Sequence, residues 1–352
     1  MPSPDLPSLT ASIPAQASLS TSEAAAAAHQ LTDPGVEADT KRAFLLALAE
    51  RGESPAEVAA FAGVFRGLAR EPELGEWASE AIDIVGTGGD RSGSFNLSTT
   101  SAFLLAAAGI PVIKHGNRSI TSRSGSADLA EAIGFDLQAD NSTLARNLKD
   151  FHFCFLFAPA FHPAFKEIMP VRKALAAEGH RTIFNLLGPL INPAQPAHLL
   201  MGVFANQWVD PVAEALEKIA LRAGAVTHCL TPEGSGLDEL TTAGKNHLRG
   251  IGGARGLSGT YSAQDLGFTL SSREELRGGE VGDNLLLLRQ LAEGEAPGGL
   301  RDSVALNAGV ALCILGKAPS IAEGCRSAGQ WIKDGILRDW LKTVSAALGG
   351  SY

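Results

Sequence analysis

Apolar positions along this chain follow two different periods, and the change falls near residue 80. Before it the spacing is helical. Ser20-Thr21-Ser22-Glu23 forms a capping box ahead of an alanine-rich helix reaching about Gln30. Phe44, Leu45 and Leu48 share one face of a second helix over 36–49, and Ser54-Pro55-Ala56-Glu57 opens a third that ends near Arg70. Past Ile82, short apolar runs alternate with helical stretches. Strands are expected at 82–85, 111–113, 152–158, 199–204 and 225–230, with helices near 98–108, 126–133, 142–149, 164–177 and 209–223. Polar, glycine-bearing sequence after Leu257 is expected to be irregular or an edge hairpin, and the rest helical over 284–293, 301–315, 320–333 and 337–347. The fold class is therefore α/β: a small all-helical domain plus a larger domain whose mainly parallel sheet is covered by helices. The expected division is a disordered tail at 1–19, a helical domain at 20–75 that later helices join, and an α/β domain at 80–352.

In such sheets, ligands bind beyond the carboxyl ends of the strands. The stretch 83–128 is richest there. After the apolar run 82–85 come Gly86, Gly88 and Gly89, which permit positive φ and close backbone approach, then Asp90. Ser98 and Thr99 stand at the start of an apolar helix, where free N–H groups and the macrodipole favour an anion. The next strand ends at Lys114, and the turn after it carries Gly116, Asn117, Ser119, Thr121, Ser122 and Ser124. Two strand ends thus supply glycine turns, one ammonium and many hydroxyls, the makings of a phosphate cradle. The first turn is neither the dinucleotide fingerprint nor a P-loop.

Charge narrows the picture. The 352 residues carry a formal charge of −9, so no overall basic field draws nucleic acid or an anionic membrane. An acidic protein that binds polyphosphate needs local cations, amides and divalent metal. Adjacent Asp238 and Glu239, after a glycine-bearing loop, suit Mg²⁺, which takes one or two carboxylates plus phosphate oxygens. On its own the pair reads more readily as a solvated surface feature, and only beside a phosphate site do the two readings balance. Arg172 offers a fork for a carboxylate, or else snorkels over apolar neighbours, while His115 and His162 fit structural roles. Cys154, Cys229, Cys313 and Cys325 are scattered, as expected for reduced thiols of a cytoplasmic protein. No nucleophile constellation appears, so the chemistry rests on positioning and charge stabilisation.

G-T-G-G-D at 86–90, N-L-S-T at 96–99, K-H-G-N-R-S at 114–119, S-G-S-A-D at 124–128, P-V-R at 170–172, F-N-L-L-G-P-L-I-N-P at 184–193 and G-L-D-E at 236–239 occur together. In that combination and order the chain resembles the anthranilate phosphoribosyltransferases, from about Ser20 to Leu348. The resemblance implies a small helical domain, a larger α/β domain and a homodimer. It implies that Gly86, Gly89, Asp90, Ser94, Asn96, Ser98, Thr99, Lys114 and Ser126 contact phosphoribosyl pyrophosphate, with His115, Gly116, Asn117, Arg118, Ser119, Ile120, Thr121 and Ser122 lining the same site. Gly86, Asn117 and Arg172 would bind anthranilate, and Ser98, Asp238 and Glu239 would hold two Mg²⁺ per subunit. Partners would be these small molecules and a second copy of the chain, with no nucleic acid and no membrane. Three departures concern the acceptor side: longer segments at 175–180 and 230–235, and Phe161 where the family often has tyrosine. A pyrimidine nucleoside phosphorylase shares the expected fold but lacks complete K-H-G-N-R-S and G-L-D-E motifs. A silent paralogue that binds nucleic acid should show a basic face and lost carboxylates, and this chain shows neither.

Overall fold

The computed structural model describes residues 4–15, 17–90, 92–118, 123–219 and 221–352. Helices α1 (Leu6–Ser12), α2 (Thr21–Leu31), α3 (Ala38–Arg51) and α4 (Pro55–Gly67) come first, followed by the one-turn α5 (Gly75–Ala78). The α/β part then runs β1 (Ile82–Gly86), α6 (Leu97–Ala107), β2 (Val112–Gly116), α7 (Ser126–Ala132), α8 (Asn141–Phe151) and β3 (Phe153–Phe157). Short α9 (Ala158–Phe161), α10 (Met169–Ala177) and α11 (Phe184–Leu187) lead to β4 (His198–Gly202), α12 (Val209–Lys218) and β5 (Ala223–Leu230). β6 (Gly236–Leu237), β7 (Lys245–Gly252) and β8 (Gly259–Tyr261) precede the closing helices α13 (Val281–Ala292), α14 (Gly298–Ile314), α15 (Ile321–Lys333) and α16 (Ile336–Leu348).

One sheet runs in the order β3-β2-β1-β4-β5-β7-β8, with β6 paired to β5. From β3 through β5 every pairing is parallel, and β6, β7 and β8 are antiparallel. Strand alternation sends Ile82, Ile84, Leu200 and Ala225 to a core built with α6 and α14. Leu199, Met201 and Val226 go to the opposite core, shared with α2, α3, α4 and α12. β7 was not expected as a strand: Asn246, His247, Arg249 and two glycines dilute its apolar alternation, and pairing with β5 over its whole length makes up the difference. The expected helix over 164–177 is instead a 3₁₀ turn, Pro163–Glu167, followed by α10, with Pro170 in its first turn.

Within the tail expected to be disordered, residues 6–15 form α1 and a 3₁₀ turn. Asp5 caps α1 by accepting from Ser8 N at 2.9 Å, and Leu6, Leu9 and Ile13 bury completely against the first helices. Their spacing of three and four is helical, but it is too short to stand out among the prolines and serines around it. Residues 168–191 share the core of the N-terminal helices. The closing helices do not. α13, α14, α15 and α16 cover the other face of the sheet together with α6 and α7.

Glu57 ties the helical part together. Fully buried, it accepts from Leu19 N at 2.7 Å, Ser54 N at 2.8 Å and Arg51 Nη2 at 2.6 Å. Removing one side of a buried ion pair strands the other charge, so Glu57→Ala should cost about 3 kcal/mol. Urea unfolding will show this as a lowered midpoint with unchanged cleft chemistry. A loss under about 0.5 kcal/mol would mean that the bridge does not organise these helices.

Candidate functional site

The carboxyl ends of β1 and β2 open into a cleft of 960 Å³, floored by the turns after these strands and walled by residues of 165–191. Its geometry begins with glycine. Gly88 and Gly89 adopt φ of 69° and 79°, a region that suits residues without Cβ. At Gly86 and Gly202 the reason is space. A Cβ on Gly86 would collide with the Asp238 carboxylate, and one on Gly202 would fall on the Asp238 carbonyl. The bare ends of β1 and β4 are what admit residue 238 to the site.

Asp238 and Glu239 are both nearly out of solvent. Asp238 Oδ2 accepts from Gly88 N at 2.6 Å, and Asp90 Oδ2 accepts from Asp238 N at 3.4 Å. Glu239 Oε1 accepts from Ser98 N at 2.8 Å, using an otherwise free donor at the start of α6. Burial pushes both acids up, with the neighbouring Asp90 charge adding to it. Glu239 reaches about 8, though the Ser98 bond and Lys114 pull against the rise, and Asp238 lies well above the usual carboxylate range. Glu239 Oε2 and Thr99 Oγ1 are buried with no hydrogen-bond partner among the described residues. Two crowded carboxylates and an orphan oxygen fit a hard divalent cation. Among the described residues no three His, Cys, Asp or Glu side chains form a ready metal cage, so such an ion would draw its remaining ligands from substrate or water.

Lys114 is buried and donates through Nζ to Ile84 O. Burial lowers its pKa, opposed by the charges of Asp83 and Glu239. His115 Nδ1 lies 3.2 Å from Gly188 O, and burial drives its pKa down to about 3, so the ring is neutral. His162, edge-on to it at 5.1 Å, is likewise lowered by burial to about 4. Ser126 Oγ donates to Asn117 O at 3.4 Å across Gly116, where a Cβ would strike Ser126 Oγ and Phe155.

On the wall, Arg172 stands 4.8 Å over the Phe184 ring and donates to Met169 Sδ at 3.6 Å. It has no carboxylate partner among the described residues. Burial lowers it to about 10, which leaves it charged at neutral pH. Phe161 is fully buried under the Arg70 guanidinium, 4.1 Å away, and does not line the cleft.

Gly86, Gly89, Asp90, Ser94, Asn96, Ser98, Thr99, Lys114, His115, Gly116, Asn117, Arg118, Ser126, Arg172, Asp238 and Glu239 all line this one cleft. Ser119, Ile120, Thr121 and Ser122 lie outside the described residues. Arg118 sits at the rim, spent on Asp128 at 2.5 Å and Glu131 at 2.8 Å. Sequence reading missed the segment 273–284. Arg273 Nη2 donates to Ser92 O at 2.8 Å, Phe95 N donates to Leu276 O at 2.8 Å, and Gly278 N donates to Gly93 O at 2.9 Å. Asn284 Nδ2 then donates to Asn96 Oδ1 at 2.8 Å, fixing that amide. Gly278-Gly279 ahead of α13 was the available sign, since a Cβ on Gly278 would press on the Phe95 backbone.

Across residues 78–336 the chain matches the family model "Glycosyl transferase family, a/b domain". The anthranilate phosphoribosyltransferase of Rhodospirillum rubrum is 42% identical over 307 residues, covering 87% of this chain and 85% of that protein. The enzyme of the same name from Parvibaculum lavamentivorans is also 42% identical, over 88% and 87% of the two chains. Among solved structures, anthranilate phosphoribosyltransferase from Thermus thermophilus superposes with a TM-score of 0.86 at 38% identity, covering 97% of this chain and 99% of that one. The Saccharomyces cerevisiae enzyme, solved in complex with PRPP and Mg, gives 0.81 at 23% identity over 98% of both chains, a likeness of fold. Fold and cleft thus define a glycosyltransferase of the α/β phosphoribosyl-transferring class. Within it, the chain belongs to the anthranilate phosphoribosyltransferase family.

The raised acids make a prediction about stability. A carboxyl whose folded pKa exceeds its unfolded value binds more protons when folded, so stability falls as pH rises between the two values. For Glu239 that window runs from about 4.5 to about 8. Metal-free protein should lose thermal midpoint across it, and Glu239→Gln should flatten part of the slope and gain roughly 2–4 °C at pH 8. A midpoint in the variant at or below the parent's at pH 8 would show that the charge is not strained.

Proposed function

We infer that this protein transfers the 5-phosphoribosyl group from 5-phosphoribosyl 1-pyrophosphate to the amine of anthranilate, releasing pyrophosphate, a reaction of tryptophan biosynthesis. The observation that carries the reading is one cleft holding two unlike ends. One end has buried acids, Lys114 and the start of α6. The other has a charged arginine on an aromatic ring. A polyphosphate with its metal suits the first, and an aromatic carboxylate suits the second.

The protein binds Mg²⁺ in this reading, and Ser98, Asp238 and Glu239 would hold two ions per subunit with the pyrophosphate oxygens. When bound, Mg²⁺ supplies neutralisation of the leaving pyrophosphate. Lys114 adds a fixed positive charge there, and Asp90 braces Asp238 through its amide. Gly86, Gly89, Ser94, Asn96, Thr99 and Ser126, with the turn 115–122, would cradle the donor. Arg172 and Asn117 orient the acceptor so that its nitrogen meets the anomeric carbon opposite the leaving group, and Gly188-Pro189 shapes the wall. An aromatic amine is nucleophilic while neutral, so the site needs no strong base. His115, neutral and tied to Gly188 O, is an auxiliary at most. We further propose that the protein works as a homodimer joined through its helical part, and that it is cytoplasmic. No helix among the described residues is long and apolar enough to cross a membrane.

Loss of anthranilate fluorescence should require the protein, the donor and Mg²⁺ together. Arg172→Ala should raise the anthranilate KM by roughly 10–100-fold, the worth of a hydrogen bond to a charged group, with a smaller effect on the donor. Asp238→Asn should depress kcat and weaken its dependence on Mg²⁺. Consumption without Mg²⁺, or an Arg172 variant whose anthranilate KM is unchanged, would overturn the assignment of the two ends.

A further inference from the structure

Asp83 and Asn192 do not line the cleft, yet they connect residues that do. Both are buried, at 1% and 3% exposure. Asp83 is the second residue of β1, and one of its oxygens, Oδ2, accepts twice: from His115 N at 3.2 Å and from Asn192 Nδ2 at 2.9 Å. Asn192 Nδ2 also donates to Ile113 O at 2.9 Å, while its Oδ1 accepts from Ala194 N at 3.0 Å. His115 closes the circuit from the other side, its Nδ1 meeting Gly188 O at 3.2 Å. The path therefore runs from β1 to the phosphate-side turn at His115, through its ring to the 3₁₀ turn Gly188–Leu190 on the acceptor wall, and back through Asn192 to β1.

An ionised carboxylate inside a sheet is costly, and a hydrophobic residue would fill the place more cheaply. Asp83 Oδ1 has no partner at all among the described residues, so maximal hydrogen bonding does not account for the group. What it does provide is a single acceptor on β1 that holds both the end of β2 and the segment after the 3₁₀ turn Gly188–Leu190. We propose that Asp83 and Asn192 are positioning residues that lock the acceptor-side turn to the phosphate-side turn, so that occupancy of the donor end tightens the anthranilate end. The proposal rests on the functional reading above for the names of the two ends, but the mechanical link is independent of turnover.

The charged and titratable groups facing Asp83 are Lys114 and His115 on β2 and Cys154 on β3. Burial lifts Asp83 to about 6, partly offset by Lys114, whereas Cys154 is held far above neutrality and His115 at about 3. Asp83 thus titrates near pH 6, a range in which neither His115 nor Cys154 changes charge.

The test uses the full chain with Mg²⁺ and inorganic pyrophosphate as the donor-end probe. Hydrogen exchange of a peptide spanning 184–195 should slow when the probe binds the parent, and the slowing should shrink at least threefold in Asn192→Ser and in Asp83→Asn. In steady state, both variants should raise the anthranilate KM about tenfold, with the donor KM held within about twofold. In the parent, acceptor kcat/KM should fall as pH drops through 6, and Asp83→Asn, already low, should be flat over that range. Unchanged exchange in the parent on probe binding, or KM values that move together for both substrates along with the thermal midpoint, would overturn the proposal and leave a purely structural bridge. Should one variant fail to fold, the other and the parent's own exchange decide. Protection without anthranilate turnover would sink the functional reading and keep the link. Turnover without protection would do the reverse.

Discussion

Two adjacent carboxylates held out of water are the constraint on which this structure depends. Asp238 and Glu239 cannot both be ionised there at low cost, and nothing among the described residues fully relieves them. Their surroundings answer that strain. Gly88 and Ser98 each give a backbone N–H to one acid, and Gly86 and Gly202 give up their side chains so that residue 238 fits over two strand ends. Lys114 brings a compensating charge from the next strand. A site built around unrelieved negative charge is one prepared for a cation that arrives with its anion.

The sheet converts that local arrangement into a two-ended cleft. β1 and β2 place their carboxyl ends side by side, so the acids, the ammonium and the start of α6 converge on one end. The chain then leaves β3 and builds the opposite wall from 158–191, packed against the N-terminal helices. Arg172 belongs to that second body of contacts. Donor and acceptor ends thus rest on different cores, and Asp83 with Asn192 is a polar bridge between them.

Much of this was legible in the residues. Glycines at a strand end, a lysine in the next strand and the start of an apolar helix were legible in local order. β2 nonetheless runs two residues past Lys114, and α6 starts from Asn96 without a side-chain cap, which puts Ser98 and Thr99 in its first turn. β7 was not legible, because its strand character comes from a partner in space rather than from its own alternation. Nor were Asp83 and Asn192: a polar residue inside an apolar run reads as an exposed position until the tertiary contact is known. The segment 273–284 escaped for a similar reason. It works by holding the backbone of 92–96, and a main-chain hydrogen bond leaves no mark on residue type.

Gly202 shows how far a site extends beyond what a ligand can touch. It does not line the cleft and has an ordinary strand conformation, yet the bare hydrogen on its Cα is what leaves room for Asp238. In a saturation library scored for growth, position 202 should behave as a column with one permitted letter, while any survey drawn as a radius around bound substrate would rank it below residues that tolerate replacement. Redesign of this cleft for another acceptor therefore has a fixed point that no inspection of the acceptor would reveal.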